Sequence, residues 1–175
     1  MDKVGAVPLG LLVIGLTAVA VRPAAAQTPP FGAFAFVDSV TVPGEPGAVF
    51  DQFVSVDAWW DHRFSEAPAQ FYIEAKPGGG FWELFDDAGN GVRHAIVIAV
   101  QRGVLLRLEG PLGMSGKALH MVHSLDFTPR GDSTLVHLEV RGAGELDPEW
   151  PGLIQGVWHH FLAERFKPYA EGRLD

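Results

Sequence analysis

The chain has 175 residues, 47% of them hydrophobic and 19% charged, with no cysteine and a formal net charge of -8. That is enough chain for one domain with a real core, and too apolar for a disordered one. The missing thiols exclude disulfides, a thiolate zinc site and a lipid-modified cysteine anchor, and an acidic chain without a basic run does not suit nucleic acid or anionic lipid headgroups.

Residues 1–26 read as an address and not as part of the fold. Lys3 supplies a minimal positive start, and a mostly apolar stretch runs from Val4 to Val21. Arg22-Pro23-Ala24-Ala25-Ala26 follows, where Pro23 ends any helix and Ala24 and Ala26 form the small-x-small pair that a signal peptidase accepts. Cleavage is expected after Ala26, with a Sec-type route because no twin-arginine motif is present. The mature chain would then be periplasmic or secreted, with no stable membrane insertion. The competing reading is an uncleaved anchor, since the apolar run approaches the ~18 residues that span a bilayer.

Residues 27–32 form a Pro-rich leader, expected to be disordered, and the folded domain is expected over 33–172. Ala33 to Val42 alternates Phe34, Phe36, Val40 and Val42 around a polar Asp38-Ser39 pair, which predicts the first strand. Pro46 opens a helix, where its missing N–H costs nothing, and Val49, Phe50 and Phe53 give that helix its apolar stripe. Asp57 is placed to cap a second short helix carrying Trp59 and Trp60. Strands are then expected over 71–75, 81–85, 92–100, 104–109, 118–128 and 133–141. Turns at Gly78-Gly79-Gly80, Asn90-Gly91 and Pro129-Arg130-Gly131-Asp132 separate several of them. Trp150, Leu153, Ile154, Val157, Trp158, Phe161 and Leu162 recur at three and four, so the last element is a helix with one broad apolar face. Pro168 should kink or end it.

The order of elements, together with Val42-Pro43-Gly44-Glu45-Pro46, Trp59-Trp60, Lys76-Pro77-Gly78-Gly79-Gly80-Phe81-Trp82 and Gly110-Pro111-Leu112-Gly113, resembles the START/Bet v 1-like helix-grip (SRPBCC) superfamily. The nearest branch resembles the activator-of-Hsp90-ATPase-like and polyketide cyclase-like proteins, here in an exported form. The resemblance runs from about Phe34 to Gly172. It implies an α+β fold in which a curved antiparallel sheet wraps around a long C-terminal helix, with two short helices after the first strand. It also implies a cavity between sheet and helix. It does not imply one chemistry, because function is set by the site and not by the fold. Activation of Hsp90 needs a cytosolic, ATP-driven partner, which an exported chain would not meet.

In such a fold every second strand residue faces inward. Leu119, Met121, His123, Leu125 and Phe127 form one inner row, Thr134, Val136, Leu138 and Val140 another, and Val92, His94, Ile96, Ile98 and Val100 a third. Trp82, Leu84, Trp150 and Trp158 are expected to add apolar surface. The residues expected to hold a ligand are Trp60, Trp82, His94, Met121, His123, Trp158 and Phe161. His94 and His123 interrupt apolar faces, so each is either a polar contact or base in a site, or a core histidine bonded to a neighbour.

Other patterns carry less. His120 and His123 would point to opposite faces of a strand, and His159 and His160 diverge by about 100° on a helix, so no metal site is expected. Gly78-Gly79-Gly80 lacks the Lys-Ser/Thr of a phosphate loop, and no Gly-x-Ser-x-Gly elbow is present. Glu74 and Glu83 would form an acid pair only if both faced inward, and solvated faces are their usual place. No cofactor is expected. The functional expectation is a carrier or scavenger of a lipid, quinone or aromatic compound. The alternatives are a cyclase- or hydrolase-type enzyme using the same pocket, and an interaction protein whose core is filled by its own side chains.

Overall fold

The computed structural model describes residues 28–174; the expected signal segment and its cleavage point lie outside them. Strand β1 covers Phe31–Pro43, beginning two residues before the expected start. Its alternation is unbroken: even-numbered residues from Phe34 to Val42 turn inward, Asp38 among them. Helix α1, Pro46–Val54, starts on Pro46 and buries Val49, Phe50 and Phe53.

The expected second helix is only a single 3-10 turn, Val56–Ala58. Asp57 lies inside it and makes no side-chain cap, and Trp59 and Trp60 follow the turn. A three-residue turn leaves both indoles free to pack independently of helical spacing.

Six further strands complete one antiparallel sheet: β2 Gln70–Ile73, β3 Gly80–Leu84, β4 Gly91–Gln101, β5 Leu105–Glu109, β6 Leu119–Arg130 and β7 Ser133–Glu145. Their order is β1-β7-β6-β5-β4-β3-β2, so β1 and β2 are the two edges. The inner rows of β6 and β7 lie where alternation puts them: Met121, His123, Leu125, Val136, Leu138 and Val140 are buried.

Strand β4 departs from simple alternation. Trp82 pairs with Arg93 and Phe81 pairs with Ala95, which leaves His94 as an extra residue between two ladder partners. A second irregularity pairs Val97 with Leu108 and Ala99 with Arg107, leaving Ile98 extra. Each bulge shifts the side-chain phase by one. His94, Ala95 and Val97 are therefore buried while Ile98 is exposed, which corrects the expected inward places of Ile96 and Ile98; the second bulge restores the phase, and Val100 packs against the core as expected.

The C-terminal rod comprises α2, Trp150–His159, a π-helical stretch His160–Phe166, and α3, Lys167–Ala170. Pro168 does not end it. The wide π turns precede the proline, and the rod continues to Ala170 before Gly172, at φ 68°, closes it. The rod's apolar face is narrower than its sequence suggests. Ile154, Trp158, Phe161, Leu162 and Phe166 are buried, whereas Leu153 and Val157 are exposed. Among the described residues no helix is long and apolar enough to cross a membrane.

The interior has two unlike ends. At one, Phe53 packs edge-on against Phe127 and Phe166, with ring centroids 5.9 and 5.0 Å apart, and Trp59 closes on Phe53 and Phe166 at 5.2 Å each. That end is solid. At the other, Trp60, Trp158 and Phe161 meet with space beside them.

Candidate functional site: an apolar cavity under the helical rod

A cavity of about 350 Å³ lies between the rod and the sheet. Trp60 and Phe161 stack on one side of it, with centroids 3.7 Å apart and planes 26° apart, and Trp158 stands perpendicular to Trp60 at 5.7 Å. Met121 rises from β6 as its floor, and Leu112 and Met114 reach over from the loop between β5 and β6. Leu153 and Val157, the two exposed apolar residues of α2, form the mouth with Trp150. Such a wall excludes water from its surface and holds hydrocarbon or aromatic groups by burial alone.

The loop over the cavity is held in an unusual conformation. Leu112 has φ 50°, in the left-handed region that a branched side chain seldom adopts. Beside it Gly110, at φ 157°, lies so close to β4 that a Cβ there would sit 2.6 Å from the His94 carbonyl oxygen. Only glycine fits, and this close approach fixes where the loop leaves the sheet.

Of the seven residues expected to hold a ligand, four line this cavity: Trp60, Met121, Trp158 and Phe161. His123 lies behind the wall. It is fully buried, its ring 5.3 Å from that of Trp158, with Nε2 3.1 Å from the Gly110 carbonyl oxygen. A carbonyl only accepts, so Nε2 carries the hydrogen and Nδ1 is the lone-pair side. Among the described residues, neither Nδ1 of His123 nor Nε1 of Trp158 has a partner. Burial pushes the His123 pKa down to about 4, against the small upward pull of the Gly110 hydrogen bond, so the ring is neutral at ordinary pH.

Trp82 is not in the wall. It lies on the outer face of β3, its Nε1 donating to Glu74 at 3.3 Å and Arg93 resting over its ring. Leu84 shares that face. The parity of β3 is the reverse of the expected one, and Phe81 and Glu83 point inward.

His94 lines a smaller neighbouring cavity with His62, Phe64 and Gly113. Its Nε2 lies 2.9 Å from Oε2 of Glu83, a carboxylate with no exposed surface. Glu83 also accepts the backbone N–H groups of Phe64 at 3.0 Å and Ser65 at 2.7 Å. With two backbone donors aimed at it the carboxylate accepts, and the imidazole donates from Nε2. Glu83 is thus an inward residue whose expected place was a solvated face. Burial is affordable because three hydrogen bonds replace its water. Glu74 stays at the rim, accepting from Gly80 N–H and pairing with Lys76.

The sequence offered no signal for Leu112 and Met114, which sit in a glycine-rich loop without periodicity. Glu83 was findable only from the phase of β3, which Trp82 obscures because a large aromatic residue reads as inward.

The curved seven-stranded antiparallel sheet and the long C-terminal helix laid against it settle the architecture. This is the helix-grip fold. Mll3558 from Rhizobium loti is similar, with 23% identity, a TM-score of 0.55, and coverage of 77% of this chain and 99% of that one. CalU16 from Micromonospora echinospora is similar at 14% identity and TM-score 0.57, covering 86% of this chain and 88% of its own. Ara h 8.0201 follows at 12% and 0.56, covering 81% and 99%. At these identities the likeness is one of fold. No family model and no curated protein matches the sequence.

Proposed function

We infer that the chain is an exported carrier or scavenger of a small hydrophobic molecule such as a lipid, quinone or aromatic compound, held between rod and sheet. One observation carries this reading: a helix-grip interior, dense at the Phe53–Phe166 end, is left open at the Trp60–Trp158 end with an almost wholly hydrocarbon lining. Its volume falls within the range of small-molecule sites. Export rests on the Ala24-x-Ala26 site and the apolar run before it.

The test is native mass spectrometry of the protein purified from its own host's envelope, with titration of a neutral polyaromatic probe followed by tryptophan fluorescence. A retained small molecule, or quenching that saturates at micromolar probe, is the expected result. An empty protein that binds no probe would replace this reading with that of an interaction protein with a closed core.

A second reading is favoured by a specific feature. His94 is inserted into β4 as a bulge, oriented by buried Glu83, and faces a cavity that shares His62 and Gly113 with the larger one. A carboxylate-oriented imidazole beside an apolar pocket is the arrangement of a general base. Turnover of an ester or polyketide-like substrate that is lost in His94→Gln, with probe binding retained, would establish the enzyme. Equal binding with no turnover leaves the carrier.

A further inference from the structure

Two adjacent side chains, Asp61 and His62, meet a third from the rod, His160, beside the cavity. Nε2 of His160 lies 2.9 Å from Oδ2 of Asp61, and Nδ1 of His62 lies 3.8 Å from Oδ1 of the same carboxylate. One ligand atom from each of the three lies within 4.8 Å of the others. Ligands around a tetrahedral ion with bonds of about 2.0–2.1 Å stand about 3.4 Å apart. Modest side-chain rotation about a common centre closes the remaining difference.

We propose that Asp61, His62 and His160 form a binding site for a first-row divalent transition ion of the zinc type, with at least one coordination position left open. Two imidazoles and one carboxylate favour zinc and its neighbours over calcium or magnesium, which take oxygen ligands.

The surroundings are those of a ligand set. Nδ1 of His160 is 2.8 Å from Oε2 of Glu164, one helical turn on, which fixes the ring and leaves Nε2 for the ion. His62 is held edge-on against Phe161 at 4.9 Å. All three residues are reachable from solvent, with side-chain exposures of 57% for His62, 35% for Asp61 and 31% for His160. His62 and Phe161 also line the cavity, so an ion here lies beside it and not remote from it.

Arg165 opposes the site, with Nε 3.2 Å from Oδ2 of Asp61. It also donates to the Trp59 carbonyl at 3.2 Å, so it has a second acceptor besides the carboxylate. Its charge weakens the site without blocking it. The neighbouring His159 turns the other way, to Asp38 at 3.0 Å, and serves as an internal control.

The proposal does not depend on the carrier reading, because its probe is the metal alone. Tag-free, chelator-treated chain is titrated with Zn²⁺ against a fluorescent chelator, and Co²⁺ spectra report coordination number. One ion per chain is expected, with affinity about tenfold or more weaker in His62→Ala and His160→Ala. His159→Ala should match the wild type, and Arg165→Gln should bind more tightly. Circular dichroism confirms that each variant is folded. No binding up to about 1 mM Zn²⁺, or affinity unchanged in both His62→Ala and His160→Ala, would overturn the proposal. So would a loss in His159→Ala as large as in His160→Ala.

Discussion

Replacing Trp158 with alanine distinguishes a hollow interior from a solid one by measurement. The indole is 1% exposed and touches Trp60, His123 and Phe161, with centroids 5.7, 5.3 and 5.9 Å away. In a dense core such a truncation costs ~3–5 kcal/mol. Two features reduce that here. One side of the ring already faces empty space, so few dispersion contacts are lost there. Its N–H has no partner among the described residues, and deleting an unpaired buried donor returns about 1 kcal/mol. The expected loss is therefore about 2 kcal/mol, or about 6 °C in Tm for a domain of this length. Urea unfolding gives the first number, and the enlarged cavity should bind a bulkier polyaromatic probe than the wild type does. A loss of about 4 kcal/mol or more, with no probe bound by folded wild type at micromolar concentration, would refute the reasoning.

His123 makes the fold sensitive to acid. Its pKa, depressed from 6.5 to about 4, means that the unfolded chain takes up a proton before the folded one does. Stability from this group is full above pH 6.5 and is lost as pH falls towards 4, by up to about 3 kcal/mol. His123→Leu should flatten the stability profile over that window, which denaturation at several pH values checks. His160 acts in the opposite sense. Its pKa is raised, first by the Glu164 hydrogen bond and then by Asp61, so its contribution is present below pH 6.5 and fades as pH rises through the folded value. His160→Gln should remove that part alone. Glu83→Ala leaves His94 and the Phe64 and Ser65 amides without their acceptor. It should cost about 3–5 kcal/mol and open residues 61–69 to protease, whereas unchanged digestion would mean that the loop is held by other contacts. Export predicts a mature chain beginning at Gln27 in the periplasmic fraction of a two-membrane host, and N-terminal sequencing decides between that and a full-length chain in the membrane pellet.

The order of elements, the two inner rows of β6 and β7, and the buried stripe of the rod were all legible in the sequence, because burial follows period two on a strand and 3.6 on a helix. Strands β3 and β4 were not. Period-two reasoning assumes an unbroken ladder, and His94 and Ile98 each add a residue to it. At Ile98 the bulge leaves no mark in hydropathy, because Val97 and Ala99 flank it, and at His94 the row Val92, His94, Ile96 reads as ordinary alternation. The cluster of Asp61, His62 and His160 escaped for another reason. Spacing along one element tests whether His159 and His160 can act together, and they do not. It says nothing about a partner about a hundred residues away. The cavity roof escaped because its apolar residues hang from a loop shaped by Gly110 and by the left-handed Leu112.

Because His94 is the extra residue between two paired neighbours, the sheet is complete without it. Excising that one codon would leave Arg93 opposite Trp82 and Ala95 opposite Phe81 in an uninterrupted ladder. The ladder would close, while Glu83 lost its imidazole and kept only the Phe64 and Ser65 amides. The reverse holds for ancestry and engineering alike: a single inserted histidine codon in a regular strand suffices to place a carboxylate-held imidazole in this interior.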